Sequence, residues 1–523
     1  METVIKNTKN SKVIKIKKIM KKLYHLVEEN RFFASLCFRG YQFYKKLRYK
    51  ECRTNWKKRT PYWKKEALPP KSKLKEIIVA AICDEMTWKN LQKECKVISL
   101  TPANWKEVFW KERPDVFFCE SAWTGLLEQK ECWHGQIYRN HNLLFENRKT
   151  LFSILKFCNR YQIPTVFWNK EDPTFFSHRR YDFKDTALRF DWIFTTAKEC
   201  VEKYKALGHK QVEVMMFGFS PYLFHPLGCL PKERKAIFAG SWYAEEKERC
   251  EALTQIFDMV LEQDIPLTIY DRQSGTIKEG RTYPEKYRPY VRKALPFEAL
   301  GNEFKHVRYA ININTVTESE TMFARRVLEC MAMNTILISN ESVGMRKLFP
   351  KGIWFLGEEM SEEGIEKICD ENREQIFCSH TNEKRLTELF EKIGILQKRE
   401  KVRILVWKKT EKNRSKVQMN QLEGERFVAD CVTAKEFLYD IKQSYQYGFW
   451  IDNKNKMPDF DMVLSHVCYL PKGCGIRVSK KADFTIIEDA EHENVLYPWE
   501  IFKKIVSEKQ GKTKKYLLRM GFL

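Results

Sequence analysis

The chain has 523 residues, 43% of them apolar and 14% aromatic, with a formal charge of +24; it is too long for one ordinary domain and too apolar to be disordered. Residues 1–75 hold 23 Lys and Arg against 5 Asp and Glu, so the remaining 448 residues carry only +6. The basic character therefore belongs to an N-terminal arm, which argues against a nucleic-acid partner for the folded body. The 16 cysteines form no C-x-x-C pair, against a zinc ribbon or disulfide framework and in keeping with a reducing compartment. With no long apolar run and no signal peptide, the expected location is the cytoplasm.

In the arm, Val13, Ile16, Ile19, Met20, Leu23, Leu26 and Val27 recur at helical spacing beside Lys12, Lys15, Lys18, Lys21 and Lys22, the pattern of a basic amphipathic helix. Residues 32–49 then interleave Phe, Tyr and Leu with Arg39, Lys45, Lys46 and Arg48. Aromatics beside cations suit a headgroup layer, so residues 1–68 are expected to meet an anionic membrane surface. Pro69-Pro70 ends the arm.

From residue 76 short apolar strands alternate with helical segments: strands at 76–83, 95–100, 115–119, 164–168 and 191–195, and a helix at 144–161. Residues 217–235, with three prolines and two glycines, read as a linker. A second alternating series follows, with strands at 236–239, 266–270, 307–314 and 335–339 and helices at 246–262 and 322–333. Alternation of this kind specifies parallel sheets that hold ligands beyond their strand C-termini. The expected fold is therefore α/β: a basic helical arm (1–75), two doubly wound Rossmann-like domains (76–218 and 219–397) forming a cleft, and a small α/β accessory domain (398–523). No G-x-G-x-x-G or P-loop occurs, against a dinucleotide enzyme or P-loop NTPase.

Residues 321–338 carry the most chemistry. Arg325 and Arg326 precede Glu329 on a helix that turns at Asn334 into an apolar strand. This segment resembles the nucleotide-sugar helix of GT-B glycosyltransferases, and most closely the CgeB-like (spore maturation type) family, with its R-x-x-E-x-x-A-x-G pattern. The resemblance, which covers roughly residues 76–395, implies that Glu329 accepts the donor's ribose hydroxyls and that Arg325 and Arg326 face its diphosphate. Asn334 stands in place of the usual Gly and tolerates a left-handed backbone. Thr321 stands where the E-x7-E spacing of many relatives needs its first carboxylate, with Glu318 and Glu320 nearby. Gly240 and Ser241, with Arg249 beyond, resemble the family's phosphate-side loop; His380, Thr381 and Arg385 resemble a terminal signature read as structural.

In the first half, residues 115–123 and 164–173 resemble the N-terminal domain coupled to such halves. Glu120 and His134 are the expected general bases. Asp84, Glu85, Trp123, Asn169, Lys170, Glu171 and Asp172 are the expected cleft or acceptor residues. The implied reaction moves a sugar from a nucleotide-sugar co-substrate to a cell-surface glycan, glycopolymer or lipid-linked acceptor, with no further cofactor. No metal is expected. A teichoic-acid-type polyol-phosphate transferase of the same fold, and a nucleic-acid-binding protein acting through the arm, are the alternatives.

Overall fold

The computed structural model describes residues 30–48, 69–226, 229, 232–274, 280–360 and 363–398, and beyond these residue 464 and the seven strands named below. The expected helix at 12–29 lies outside the described residues. By contacts the chain divides into two compact units: Met1–Phe217 with Val316–Phe323 and Arg385–Gln397, and Gly218–Thr315 with Ala324–Lys384 and Lys398–Leu523.

The first unit is built on a six-stranded sheet of β1 (Ile78–Ile82), β2 (Lys96–Ser99), β3 (Val116–Glu120), β4 (Thr165–Asn169), β5 (Trp192–Thr195) and β6 (Val212–Val214), in the order β2-β1-β3-β4-β5-β6. Every pairing is parallel. Sequences such as IVAAI and VFFCE are apolar on both faces because helices cover both faces. On one face Phe117, Phe167 and Ile193 pack with Phe109, Ile154 and Phe183; on the other Val79, Phe118 and Val166 pack with Leu91, Leu389 and Phe390. Truncating one of the buried phenylalanines to Ala costs about 3–5 kcal/mol. Local capping sets helix starts: Thr101 and Asn104 exchange side-chain to backbone hydrogen bonds of 2.7 and 3.0 Å ahead of the helix Trp105–Glu112.

The second unit carries another parallel six-stranded sheet: β7 (Glu233–Gly240), β8 (Leu267–Asp271), β9 (Val291–Lys293), β10 (Val307–Asn312), β11 (Ile336–Ser339) and β12 (Ile353–Phe355), ordered β12-β11-β10-β7-β8-β9. Both sheets are doubly wound, and the two-domain Rossmann-like α/β fold is established. Strand order reverses between β1 and β3 in the first sheet and between β7 and β10 in the second, the crevices where such sheets accept ligands. A third, mixed sheet has seven strands: β13 (Val402–Lys408), β14 (Asn420–Glu423), β15 (Phe427–Val432), β16 (Tyr447–Ile451), β17 (Gly475–Val478), β18 (Phe484–Ile487) and β19 (Val495–Pro498).

Two expectations change. The segment 217–235 is not a free linker: Phe219 and Phe224 are buried, and Phe219 packs against Phe377 with ring centroids 5.1 Å apart. The helix expected at 322–333 spans only Arg326–Ala332, and Val327 through Ala332 are all buried, so it is not amphipathic. The residues ahead of it leave the helix because they bond elsewhere. The Thr321 hydroxyl donates to the Thr196 carbonyl at 2.7 Å, the Ser319 hydroxyl donates to Glu199 at 3.0 Å, and Lys198 pairs with Glu320 at 3.1 Å. Asn334 has φ 54°, the left-handed turn expected of it.

Candidate functional site

In the second unit, β7 ends at Gly240 and delivers Ser241 to the switch point. A Cβ on Gly240 would fall 2.5 Å from the Phe238 ring, so glycine is required here by a packed neighbour, a reason additional to the expected close approach of a donor. Ser241 is fully buried and its hydroxyl has no hydrogen-bond partner. Its carbonyl accepts from Arg249 Nη1 at 3.2 Å, from the first turn of the helix Lys247–Glu262. The Arg249 guanidinium also lies 5.0 Å from the centre of the Tyr243 ring, and Arg281 lies 4.2 Å from it.

Arg326 opens the helix Arg326–Ala332 and donates to the Ala239 carbonyl on β7. Its guanidinium sits 5.7 Å from the Phe238 ring centre and 5.9 Å from that of Phe304. Burial pulls the Arg326 and Arg249 pKa values down from their ordinary range, which marks both as cations held partly out of water. One turn on, Glu329 is 7% exposed and its Oε1 is buried without a partner among the described residues. Burial pushes the Glu329 carboxyl up to about 6, against the opposing pull of Arg325 and Arg326.

Two residues that sequence reasoning missed complete the cluster. The backbone N–H of Arg272, just past β8, donates to the Gly240 carbonyl at 3.1 Å, and its side chain is exposed. Tyr283 is buried against Trp242 at 5.7 Å, and its hydroxyl has no partner. Burial and then Asp271 raise the Tyr283 pKa, while Arg249, Arg272 and Arg326 lower it. Arg272 was legible as the second residue past the strand expected at 266–270. Tyr283 had no such signal, because it reaches the strand ends from a loop.

In the first unit, the switch point gathers several expected residues. Asp84, just past β1, accepts from the backbone N–H groups of Trp123, Thr124 and Gly125 at 2.9, 3.1 and 2.8 Å. Burial works to raise its pKa, but Lys170 and those three donors bring it below the ordinary value. Lys170 Nζ lies 3.3 Å from Asp84 and 3.1 Å from Glu120, and Glu120 Oε1 also accepts the Asp84 N–H at 2.6 Å. Glu120 itself has no exposed surface. The Trp123 indole N–H donates to Glu171 at 2.9 Å, and burial raises the Glu171 pKa while Lys170 and Trp123 oppose it.

Asn169 and Asp172, expected in the cleft, are instead interior residues, 1% and 0% exposed. Asp172 accepts from Asn169 at 2.8 Å, Thr195 at 2.8 Å and Tyr204 at 3.1 Å, a closed network that ties β4 to β5 and the helix Lys198–Ala206. Burial pushes Asp172 up to about 7. Glu85 begins the helix Glu85–Glu94 and pairs with Lys89 at 3.5 Å. His134 faces another element, with its ring edge-on to Tyr41 at 5.8 Å and its carbonyl 3.5 Å from Gln42 Nε2, both on the helix Arg31–Arg48. Among the described residues, no group of three or more His, Cys, Asp and Glu side chains is arranged to hold a metal ion.

Residues 260–391, which include Arg272, Tyr283, Arg325, Arg326 and Glu329, match a family model described as glycosyl transferase-like. No curated protein matches the chain. Among solved structures the chain is similar to an alpha-glucosyltransferase in complex with UDP and a 13-mer DNA containing a HMU base, at 11% identity and TM-score 0.39, over 60% of this chain and 98% of that one. It is similar to HepE of Anabaena in complex with UDP-glucose, at 13% identity and TM-score 0.37, over 61% and 92%. Similarity to the GtfA/B complex, at 12% identity and TM-score 0.31, covers 48% of this chain and 61% of that one, less than two thirds of its length. The match to the glycosyl transferase-like model includes β10 and the helix Arg326–Ala332 but not β7, Ser241 or Arg249.

Proposed function

We propose that the protein is a metal-independent glycosyltransferase of the GT-B type and CgeB-like group, moving a sugar from a nucleotide-sugar donor to a cell-surface glycan, glycopolymer or lipid-linked acceptor at the cytoplasmic membrane face. The observation that carries this reading is that Arg326 and Arg249 are anchored on the Ala239 and Ser241 carbonyls at the end of β7, while the buried Ser241 hydroxyl and Glu329 Oε1 have no partner among the described residues. A buried polar atom left unpaired costs about 1–3 kcal/mol, and a ligand that supplies the missing donors recovers it. Ribose hydroxyls are such donors. The guanidiniums then neutralise the diphosphate, whose charge grows as the sugar leaves, a task that a divalent cation performs in other designs.

For the acceptor, the first unit offers the Asp84, Glu120, Lys170 and Glu171 group. A base must come within about 3 Å of the hydroxyl it deprotonates. Glu120, with no exposed surface and Lys170 on its Oε1, supports an anchoring role better than that of base. Glu171 retains exposure and is positioned by Trp123, so on this reading it replaces Glu120 as the carboxylate that meets the acceptor. The test is a panel of nucleotide sugars screened by thermal shift, followed by transfer assays with EDTA present. A donor should raise the melting temperature, and transfer should survive chelation. The reading fails if no nucleotide sugar shifts the transition.

A further inference from the structure

The helix Arg31–Arg48 is apolar on two opposite faces. Its inner face is seated on the loop at 134–147: Ala34 and Phe38 are buried with Leu143 and flanked by Phe145, the Arg39 guanidinium lies 4.8 Å from the Phe145 ring centre, and the Leu144 N–H donates to the Ser35 hydroxyl at 2.9 Å. The fit is close, since a Cβ on Gly135 would come 2.8 Å from the Phe38 ring. This helix is therefore a fixed part of the first unit.

Its outer face needs a different explanation. Phe32, Leu36 and Phe43 stand at i, i+4 and i+11, one stripe of a helix, and are 64%, 58% and 64% exposed, with Phe33 beside them at 49%. Leu144, which follows the loop residue that packs under the helix and bonds to Ser35, is 58% exposed. Exposed large apolar side chains thus occur both on this helix and on the segment bonded to it, a feature that marks an interaction surface. The same helix contains Arg31, Arg39, Lys45, Lys46 and Arg48 and no Asp or Glu. A partner that is negatively charged at its surface and apolar immediately beneath satisfies both requirements at once, and an anionic bilayer has that layering.

We infer that Phe32, Phe33, Leu36, Phe43 and Leu144 form a membrane-inserting face, through which the helix Arg31–Arg48 holds the first unit on an anionic lipid surface. This deepens the membrane-facing part of the reading above and is independent of the donor site. Because the inner face is packed on the folded unit, the contact orients the enzyme rather than merely tethering it.

The experiment uses the full chain and vesicles of phosphatidylcholine alone or mixed with phosphatidylglycerol, by co-sedimentation. The wild-type protein should bind the anionic vesicles, and the triple variant Phe32→Ser, Leu36→Ser, Phe43→Ser should bind them at least about tenfold more weakly, with an unchanged solution mass. Leu144→Ser, on the other segment, should weaken binding by a smaller factor. The proposal is overturned if the wild type ignores anionic vesicles, or if the triple variant binds as well as the wild type, which would place the contact in residues 1–29. It is equally overturned if the triple variant converts a dimer to a monomer, which would make the face a contact between copies. Nucleotide-sugar thermal shifts on the same samples separate the two readings: vesicle binding without any donor shift would sink the transferase reading and leave the membrane face standing.

Discussion

The two sheets end in opposite electrostatic conditions. At the first switch point Asp84 accepts from three backbone N–H groups and pairs with Lys170, and Glu120 Oε1 accepts two hydrogen bonds; among the described residues Glu120 Oε2 and Glu85 Oε2 are left over. At the second, Ser241 Oγ, Tyr283 Oη and Glu329 Oε1 are all buried without partners among the described residues. Buried polar groups are normally paired. On the proposed reading the second set awaits a ligand, while the first serves mainly as scaffold.

The comparison breaks most directly at Lys170. Lys170→Met leaves two buried carboxylates without their cation and should cost about 3–5 kcal/mol of stability, read by thermal or urea unfolding. Donor affinity per folded molecule should stay unchanged. A large loss of donor affinity with little loss of stability would show that the first cluster is not scaffolding.

Glu329→Ala should do the reverse. Donor binding should weaken by about 1.5–3 kcal/mol, the worth of hydrogen bonds to a charged group, as measured by calorimetry, while the free protein should be no less stable because an unpaired buried carboxylate has been removed. Unchanged affinity in a folded variant would take Glu329 out of the site.

The pH dependence sharpens the same contrast. The Glu329 carboxyl is raised from an ordinary 4.5 to about 6, so the folded chain holds this proton more tightly than the unfolded one. Its stabilising contribution is fully present below 4.5 and is lost as pH rises through about 6. Donor affinity should move the other way, rising about tenfold from about pH 5 to about pH 7 as the carboxylate forms. The diphosphate of a nucleotide sugar does not titrate in that window, so Glu329→Gln should flatten the profile.

The smallest expected effect is at Ser241. Ser241→Ala should weaken donor binding by about 0.5–1.5 kcal/mol, the value of one neutral hydrogen bond, with no loss of stability in the free protein. A clear loss of stability there would mean that the hydroxyl is part of the fold and not of the site.

The sequence by itself determined the alternation that builds both parallel sheets, because strands buried on both faces read as unbroken apolar runs such as IVAAI and ILIS. It also determined that Arg326 and Glu329 share a helix, three residues apart and so on one face, and the turn at Asn334. Tertiary structure alone decided which polar groups are left unpaired. Asn169, Asp172 and Glu120 looked like cleft residues because they sit at strand ends, yet only packing shows that Thr195, Tyr204 and Lys170 close over them. Arg326 reaches the Ala239 carbonyl with its side chain, and Arg272 the Gly240 carbonyl with its backbone N–H, from segments distant in the chain, and no local spacing encodes such a meeting. The same limit applies to the helix Arg31–Arg48: its composition shows two apolar faces, but the loop carrying Leu143 and Phe145 decides which face is buried and which is left to meet a partner. Periodicity records the angle of a side chain about its own helix, whereas burial depends on what the rest of the chain brings against it.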